Sequence, residues 1–204
     1  VEIENYNKER IDNKQVGIDV GISNAITLSD GKQYQAPKPF KNQSEKIARL
    51  NRNLARKIKN SNNWNKQKIK LQRAYLKLTN IRQDFWHKTS SNICNENQII
   101  FIEDLHVKGL LKNRKLSFSL ADVGLGEFFR QLKYKKNIWN NEVYKINRFF
   151  PSSQLCSNCG NKTKISLSKR VYNCDKCGLV LDRDLNAAKN IYTEGYSGIY
   201  ACGH

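Results

Sequence analysis

Cys156-Ser157-Asn158-Cys159 and Cys174-Asp175-Lys176-Cys177 are two CxxC pairs with 14 residues between them. Each pair presents two thiolates from one tight turn, and tetrahedral zinc takes four such soft ligands. Gly160 and Gly178 directly follow the pairs, where the chain must turn back and where a positive φ suits glycine. Val171-Tyr172-Asn173 supplies a strand between them. The pattern predicts a zinc ribbon held by Cys156, Cys159, Cys174 and Cys177. Two disulfides are the competing reading, but no secretory context accompanies the cysteines. Cys94, on an expected helix, reads as a small buried hydrophobe. Cys202-Gly203-His204 closes the chain, where fraying is the default.

Acids are the second set. Asp19 interrupts the apolar stretch Val16-Gly17-Ile18-Asp19-Val20-Gly21, where a carboxylate is costly unless it is paired or meets a cation. Glu103 ends the run Ile99-Ile100-Phe101-Ile102. Asp182 and Asp184 open an expected helix, and an Asp there can simply cap it. Capping suits Asp182 better than it suits both. Singly, each acid has a structural explanation; a strand-end Glu is often just solvated. Jointly, acids on two adjacent strands and one covering helix can bind two hard divalent cations about 3.5–4 Å apart. Such a pair activates a water and stabilises the leaving oxygen of a phosphodiester. Asp19, Glu103 and Asp184 are 84 and 81 positions apart, so only the fold can join them.

The elements that must do so are readable from periodicity. Residues 16–21, 25–28 and 32–36 read as an antiparallel meander, with Asp30-Gly31 as a hairpin turn. Ile47, Leu50, Leu54 and Ile58 recur at helical spacing, and so do Leu71, Ala74, Leu78, Ile81 and Phe85. Small polar residues at 60–65 separate them, which predicts a helical hairpin over 44–96. Residues 99–102 read as a central strand, 108–118 as a basic loop and 122–138 as a helix with Leu125, Phe128, Phe129 and Leu132 on one face. Residues 142–149 read as another strand and 184–192 as a short final helix. No internal repeat stands out.

The 204 residues carry 36 Lys+Arg against 18 Asp+Glu, a net charge of +18. A surplus of this size favours a polyanionic partner, nucleic acid first and an anionic membrane surface second. With 39% hydrophobic residues, the chain has enough for a core and is not a disordered tail. No run of about 18 apolar residues exists, which argues against a membrane-spanning helix. No secretory signal opens the sequence. It contains no methionine, so a longer parent chain is expected.

An Asp on the first strand of a meander, a Glu after an apolar strand and an Asp on a late helix follow the order of RNase H-like nucleases of the RuvC type. The strings at 17–24 (GIDVGISN), 102–105 (IEDL), 150–160 (FPSSQLCSNCG) and 182–191 (DRDLNAAKNI) resemble the TnpB (OrfB) proteins of bacterial insertion sequences. The strings at 82–88 (RQDFWHK) and 132–135 (LKYK) are also similar to that family. The resemblance spans roughly residues 16–203. It implies an α/β fold: an RNase H-like mixed sheet with flanking helices, an inserted helical hairpin and a four-cysteine ribbon. The implied organisation is an upstream remnant at 1–15, a nuclease core at 16–153 with its hairpin at 44–96, a ribbon at 154–180 and a final helix with tail at 181–204.

The resemblance further implies an RNA-guided DNA endonuclease, similar to compact type V CRISPR effectors. Asp19, Glu103 and Asp184 match the catalytic acids and would hold two Mg²⁺ or Mn²⁺ ions. Asp184 is preferred over Asp182 because the family pattern centres on Asp-x-Asn, here Asp184-Leu185-Asn186. Guide RNA and DNA are the implied partners, in a cytoplasmic protein encoded by a bacterium, a phage or a mobile element. Only about 15 residues precede the first strand, so much of the guide-holding half is expected to be missing. Val123-Gly124-Leu125-Gly126 also departs from the more polar or aromatic string of relatives. Lys57, Lys59, Lys66, Lys68 and Lys70 near the hairpin tip, with Arg183, are candidate nucleic-acid contacts, against the plainer reading of a solvated face. Trp64, Tyr75 and Trp86 can stack on bases, though core packing is expected of Tyr75 and Trp86. The alternatives are a non-catalytic nucleic-acid-binding module and a Holliday-junction resolvase. The inserted ribbon speaks against the resolvase.

Overall fold

The computed structural model describes residues 14–166 and 169–201. Residues 1–13, most of the expected upstream remnant, and the Cys202-Gly203-His204 string lie outside the described residues.

Five strands form one mixed sheet: β1 (Gln15–Val20), β2 (Ile26–Leu28), β3 (Gln33–Tyr34), β4 (Ile99–Glu103) and β5 (Glu142–Ile146), in the order β3-β2-β1-β4-β5. The first three make the expected antiparallel meander. Gly31, at φ 96°, takes the tight turn between β2 and β3, where the Asp30 side chain accepts the Lys32 N–H. β4 and β5 then run parallel to β1. Parallel neighbours need a crossover. Between β1 and β4 lie the meander and the hairpin α1 (Pro39–Ala55) and α2 (Asn62–Glu96); between β4 and β5 lie α3 (Val107–Leu110), α4 (Ser117–Val123) and α5 (Leu125–Ile138). After β5 the chain enters a small two-stranded unit, β6 (Val171–Asn173) and β7 (Val180–Asp182), and ends in α6 (Arg183–Ala201).

The side-chain alternation of β1 and β4 sorts the molecule into layers. Val16, Ile18, Ile100 and Ile102 face one way and pack with Trp86, Ile93, Phe128 and Leu132. Trp86 is wholly buried and donates its indole N–H to the Val123 carbonyl at 2.9 Å. Phe101 faces the other way, with Ile146 and Ile191, against α6. That second layer is unusually close. A Cβ on Gly17 would lie 2.3 Å from the Ala188 carbonyl oxygen, and one on Gly195 would lie 2.2 Å from the Phe101 ring. Glycine at both places lets the helix rest on the strands.

Several boundaries differ from the sequence expectation. α1 begins at Pro39 rather than 44, because the Asp122 carboxylate accepts the Phe40 and Lys41 N–H groups, both at 2.9 Å. That cap comes from about 80 residues downstream. Ile58 is 83% exposed in the turn, so the apolar seam of the hairpin ends before it. Gly124 adopts φ 74° and splits the expected 122–138 helix into α4 and α5; the expected 108–118 loop contains α3 and the start of α4. α6 runs to 201 rather than 192. Gly195 and Gly198 weaken its propensity, but the contact of Gly195 with Phe101 and of Ile199 with the same cluster holds the extra turns down.

Gly17→Ala should lower unfolding stability by about 3 kcal/mol, the upper range for overpacking. Gly126→Ala, a helical position with nothing within 4 Å of the added Cβ, should raise it by about 0.5–1 kcal/mol. Denaturant titration of the two variants measures both.

Candidate active site and metal centre

Gly17 and Phe101 face α6, so Asp19 and Glu103, two residues further on each strand, face α6 as well. The strands are parallel, with Ile18 opposite Ile102, which makes Asp19 and Glu103 lateral neighbours at the next position. α6 crosses this face with Asp184 in its first turn, 8% exposed. Alternation, parallel register and a covering helix thus bring the three acids to one patch.

Asp19 feels the other two acids, though burial dominates. Burial lifts the Asp19 carboxyl well above its usual range, and the Glu103 and Asp184 charges lift it further; Arg183 partly offsets this and Asp182 adds to it. Glu103 is also raised, chiefly by burial, against the bond donated by the Ser152 hydroxyl to Oε1 at 2.5 Å. Asp184 meets two guanidinium groups, Arg183 at 3.3 Å and Arg170 at 3.8 Å. Arg170 also donates to the Ser23 hydroxyl at 2.6 Å. Asp182 is engaged differently: its Oδ1 accepts the N–H groups of Asp184 and Leu185, both at 3.0 Å, and caps α6. Asp19 and Glu103 are thus held toward their neutral form, a bias that a bound hard cation would reverse.

The four cysteines are packed more tightly. Their sulfurs all lie within 4.8 Å of one another, the only set of three or more metal-ligating side chains so close among the described residues. Cys156 and Cys177 are 3.5 Å apart and Cys159 and Cys174 3.6 Å. A tetrahedral ion with bonds of about 2.3 Å sets its sulfurs about 3.8 Å apart, so the set fits one such ion. The two knuckles repeat one geometry. Gly160 N–H bonds the Cys156 carbonyl and Gly178 N–H the Cys174 carbonyl, each at 2.9 Å, with φ 69° and 73° at the glycines. Backbone N–H groups also aim at sulfur. The Leu179 N–H and the Asn158 side chain hold Cys177 down at about 6. Cys159 is pushed up to about 12: the Asn161 N–H lowers it, but burial and the three neighbouring sulfurs raise it more. Tyr172, wholly buried on β6, packs with Cys156 and Cys174. Cys94 stands apart in the main core, as expected.

Lys57 and Lys59 occupy the hairpin turn, and Lys66, Lys68 and Lys70 the start of α2; all five are exposed. They belong to elements other than those bearing the acids. The Lys68 ammonium lies 5.1 Å over the Trp64 ring. Arg183 instead sits at the acid patch, where it also donates to the Lys169 carbonyl. Trp86 is core, as expected, whereas Tyr75 is 41% exposed, contrary to expectation, because its side of α2 has no neighbour within the hairpin seam.

Sequence reasoning missed a polar network under the acids. Asn190 donates to the carbonyls of Ser152 and Leu155, both at 2.7 Å. Asn186 donates to the Leu155 carbonyl at 2.7 Å and accepts the Ser157 N–H at 2.9 Å. Two amides at (i, i+4) beside Ala187, Ala188 and Ile191 on one helix face were the available signal.

A family model described as "Probable transposase" (OrfB_IS605) matches residues 1–114. The chain belongs to the OrfB_IS605 family. A second family model, "Cas12f1-like, TNB domain", matches residues 126–191, which include the four cysteines. Relatives of this OrfB_IS605 member include a "Putative RNA-guided DNA endonuclease" of Streptomyces pristinaespiralis, 42% identical over 92% of this chain and 46% of its own length. Another, of Escherichia coli K12 (InsQ, with the same description), is 36% identical over 92% of this chain and 50% of its own. The "TnpB-like protein L79" of Acanthamoeba polyphaga mimivirus is 30% identical over 95% of this chain and 39% of its own. The chain thus spans half or less of the length of these relatives. In fold it is similar to a chain of the cryo-EM structure of a Cas12f1-sgRNA-target DNA complex, with a TM-score of 0.62 over 87% of this chain and 49% of that one, at 18% identity. Among the described residues, no helix is long and apolar enough to cross a membrane.

The cysteine geometry predicts about one zinc per purified chain. Replacing it with Co²⁺ should give the intense thiolate charge-transfer bands of a tetrahedral site. Cys174→Ser should lose most of the metal and melt at a lower temperature. Equal metal content in that variant would argue against a shared four-sulfur site.

Proposed function

We propose that this chain is the nuclease portion of an RNA-guided DNA endonuclease, with an RNase H-like core of the RuvC type at 16–153. Within that core lies the helical insertion expected at 44–96, which starts at Pro39 in the structure. A zinc ribbon at 154–180 and a closing segment at 181–204 complete the proposed division. The observation that supports the reading most is that Asp19, Glu103 and Asp184 share the α6 side of the parallel pair β1 and β4, with Glu103 and Asp184 near enough to raise Asp19. Strand order β3-β2-β1-β4-β5, with an antiparallel meander followed by two parallel strands, supports the RNase H-like assignment.

Asp19, Glu103 and Asp184 would hold two Mg²⁺ or Mn²⁺ ions. The three carboxylates do not all lie within 4.8 Å of one another, as the four sulfurs do. Asp182 is occupied with capping, which supports Asp184 as the third acid. Bound there, the ions would supply an activated water and charge stabilisation for the leaving oxygen of a DNA phosphodiester. The protein's own groups do the rest. Asp19 is half-buried beneath α6, the Ser152 hydroxyl holds one oxygen of Glu103, and Arg170 and Arg183 fix the Asp184 carboxylate. The hairpin lysines Lys57, Lys59, Lys66, Lys68 and Lys70 would follow the phosphate backbone of DNA or of a guide–target duplex, with Trp64 available for stacking. Arg183, already bonded at the acids, would act there rather than along that backbone. The names of the relatives support guide RNA as a partner of the whole protein.

Labelled single-stranded DNA incubated with the purified chain and Mn²⁺ tests this. Wild type should cut, and Asp19→Ala and Asp184→Ala should each slow cutting by about 10³-fold, the equivalent of several kcal/mol of lost charge stabilisation. Variants that cut as fast as wild type would remove the acids from the mechanism. DNA binding without metal-dependent cutting by wild type would favour the non-catalytic module instead.

A further inference from the structure

Glu103 lies at the last position of β4, opposite Ile146 of β5, and is half-buried. A glutamate there has three rotatable bonds, so its carboxylate needs a partner to fix its direction. The described contacts give it one partner, the Ser152 hydroxyl on Oε1, which leaves the second oxygen without a donor from that serine. Ser152 is 5% exposed and is itself fastened: its N–H bonds the Phe150 carbonyl at 2.9 Å, and its carbonyl accepts Asn190 Nδ2 at 2.7 Å. Asn190 is 6% exposed and stands six residues after Asp184 on the same helix.

We propose that Ser152, held in place by Asn190, is a positioning residue for Glu103. The inference rests on the reading that the acids bind divalent cations, and it adds how they keep register. One rigid helix carries Asp184 directly and orients Glu103 through Asn190 and Ser152. The next turn toward the N-terminus, at Asn186, grips Leu155 and Ser157 on either side of Cys156. The segment that enters the cysteine knuckle and the segment that orients Glu103 are thus one stretch of chain, clamped twice by α6. Hydrogen-bond partners of metal ligands typically govern affinity by about 10–100-fold when removed. Ser152 is predicted to do so for an ion at the acids, although it belongs to no acidic strand or helix and carries no charge.

Mn²⁺ binding to the zinc-loaded chain, read from loss of the free-ion EPR signal, tests this without relying on cleavage. Wild type should bind Mn²⁺ and Asp19→Ala should not. Ser152→Ala should weaken binding about tenfold while zinc content and melting temperature stay at wild-type values, and Ser152→Thr, which restores the hydroxyl, should recover most of the affinity. If Asp19→Ala loses Mn²⁺ but Ser152→Ala binds as wild type does, the positioning role is wrong and the metal reading survives. If wild type and Asp19→Ala bind alike, or wild type does not bind, the metal reading fails and takes the positioning role with it. If the melting temperature of Ser152→Ala falls with its affinity and Thr rescues neither, the serine is only a structural bond.

Discussion

Like charges brought together under a helix are the constraint around which this chain is arranged. Two unit charges about 5 Å apart at a protein's edge repel by about 3 kcal/mol. The fold collects three carboxylates on one patch and raises two of them, chiefly by burial and Asp19 the more strongly. It does not relieve that cost by scattering the acids. It holds them there with close backbone packing: α6 rests on β1 through Gly17 and on Phe101 through Gly195. A helix at ordinary distance would leave room for the acids to spread. Arg170 and Arg183 pair with Asp184, and Arg183 offsets only part of the shift at Asp19.

The cysteine unit is joined to this patch by covalent order and by hydrogen bonds. Residues 152–157 leave the acid patch and enter the first knuckle; Asp182 leaves the second knuckle's strand and caps the helix that bears Asp184. Asn186 and Asn190 close the loop from the helix side. A cysteine unit placed between the second and third acids in sequence therefore lies, in space, against the helix and loop that flank both.

Much of this was legible in the residues. A carboxylate inside Val16–Val20 announced itself by its cost, and the CxxC spacing fixed both knuckles down to the glycines that need positive φ. The alternation that turns Asp19 and Glu103 to one side is also written in the strands, because Ile18 and Ile102 must face the core. What was hidden depends on distant partners. The start of α1 is set by Asp122, some 80 residues on, and the length of α6 by the Phe101 ring rather than by local propensity. Gly124 falls inside the expected 122–138 helix and is instead the break between α4 and α5. Ser152 had no charge or repeat to single it out, and Asn190 only its (i, i+4) spacing from Asn186 on an apolar face; the partners of both are set by burial. Tyr75 was expected inside because its type favours packing, yet the two-helix hairpin has no third layer on that side.

The central claim is that the acid patch chelates divalent ions. Crystals of the zinc-loaded chain soaked in Mn²⁺, with diffraction recorded near the manganese absorption edge, test it most directly. The account predicts anomalous density among the carboxylates of Asp19, Glu103 and Asp184, from two ions about 3.5–4 Å apart. Manganese bound elsewhere, with that patch empty or filled by the Arg170 and Arg183 guanidinium groups alone, would contradict it.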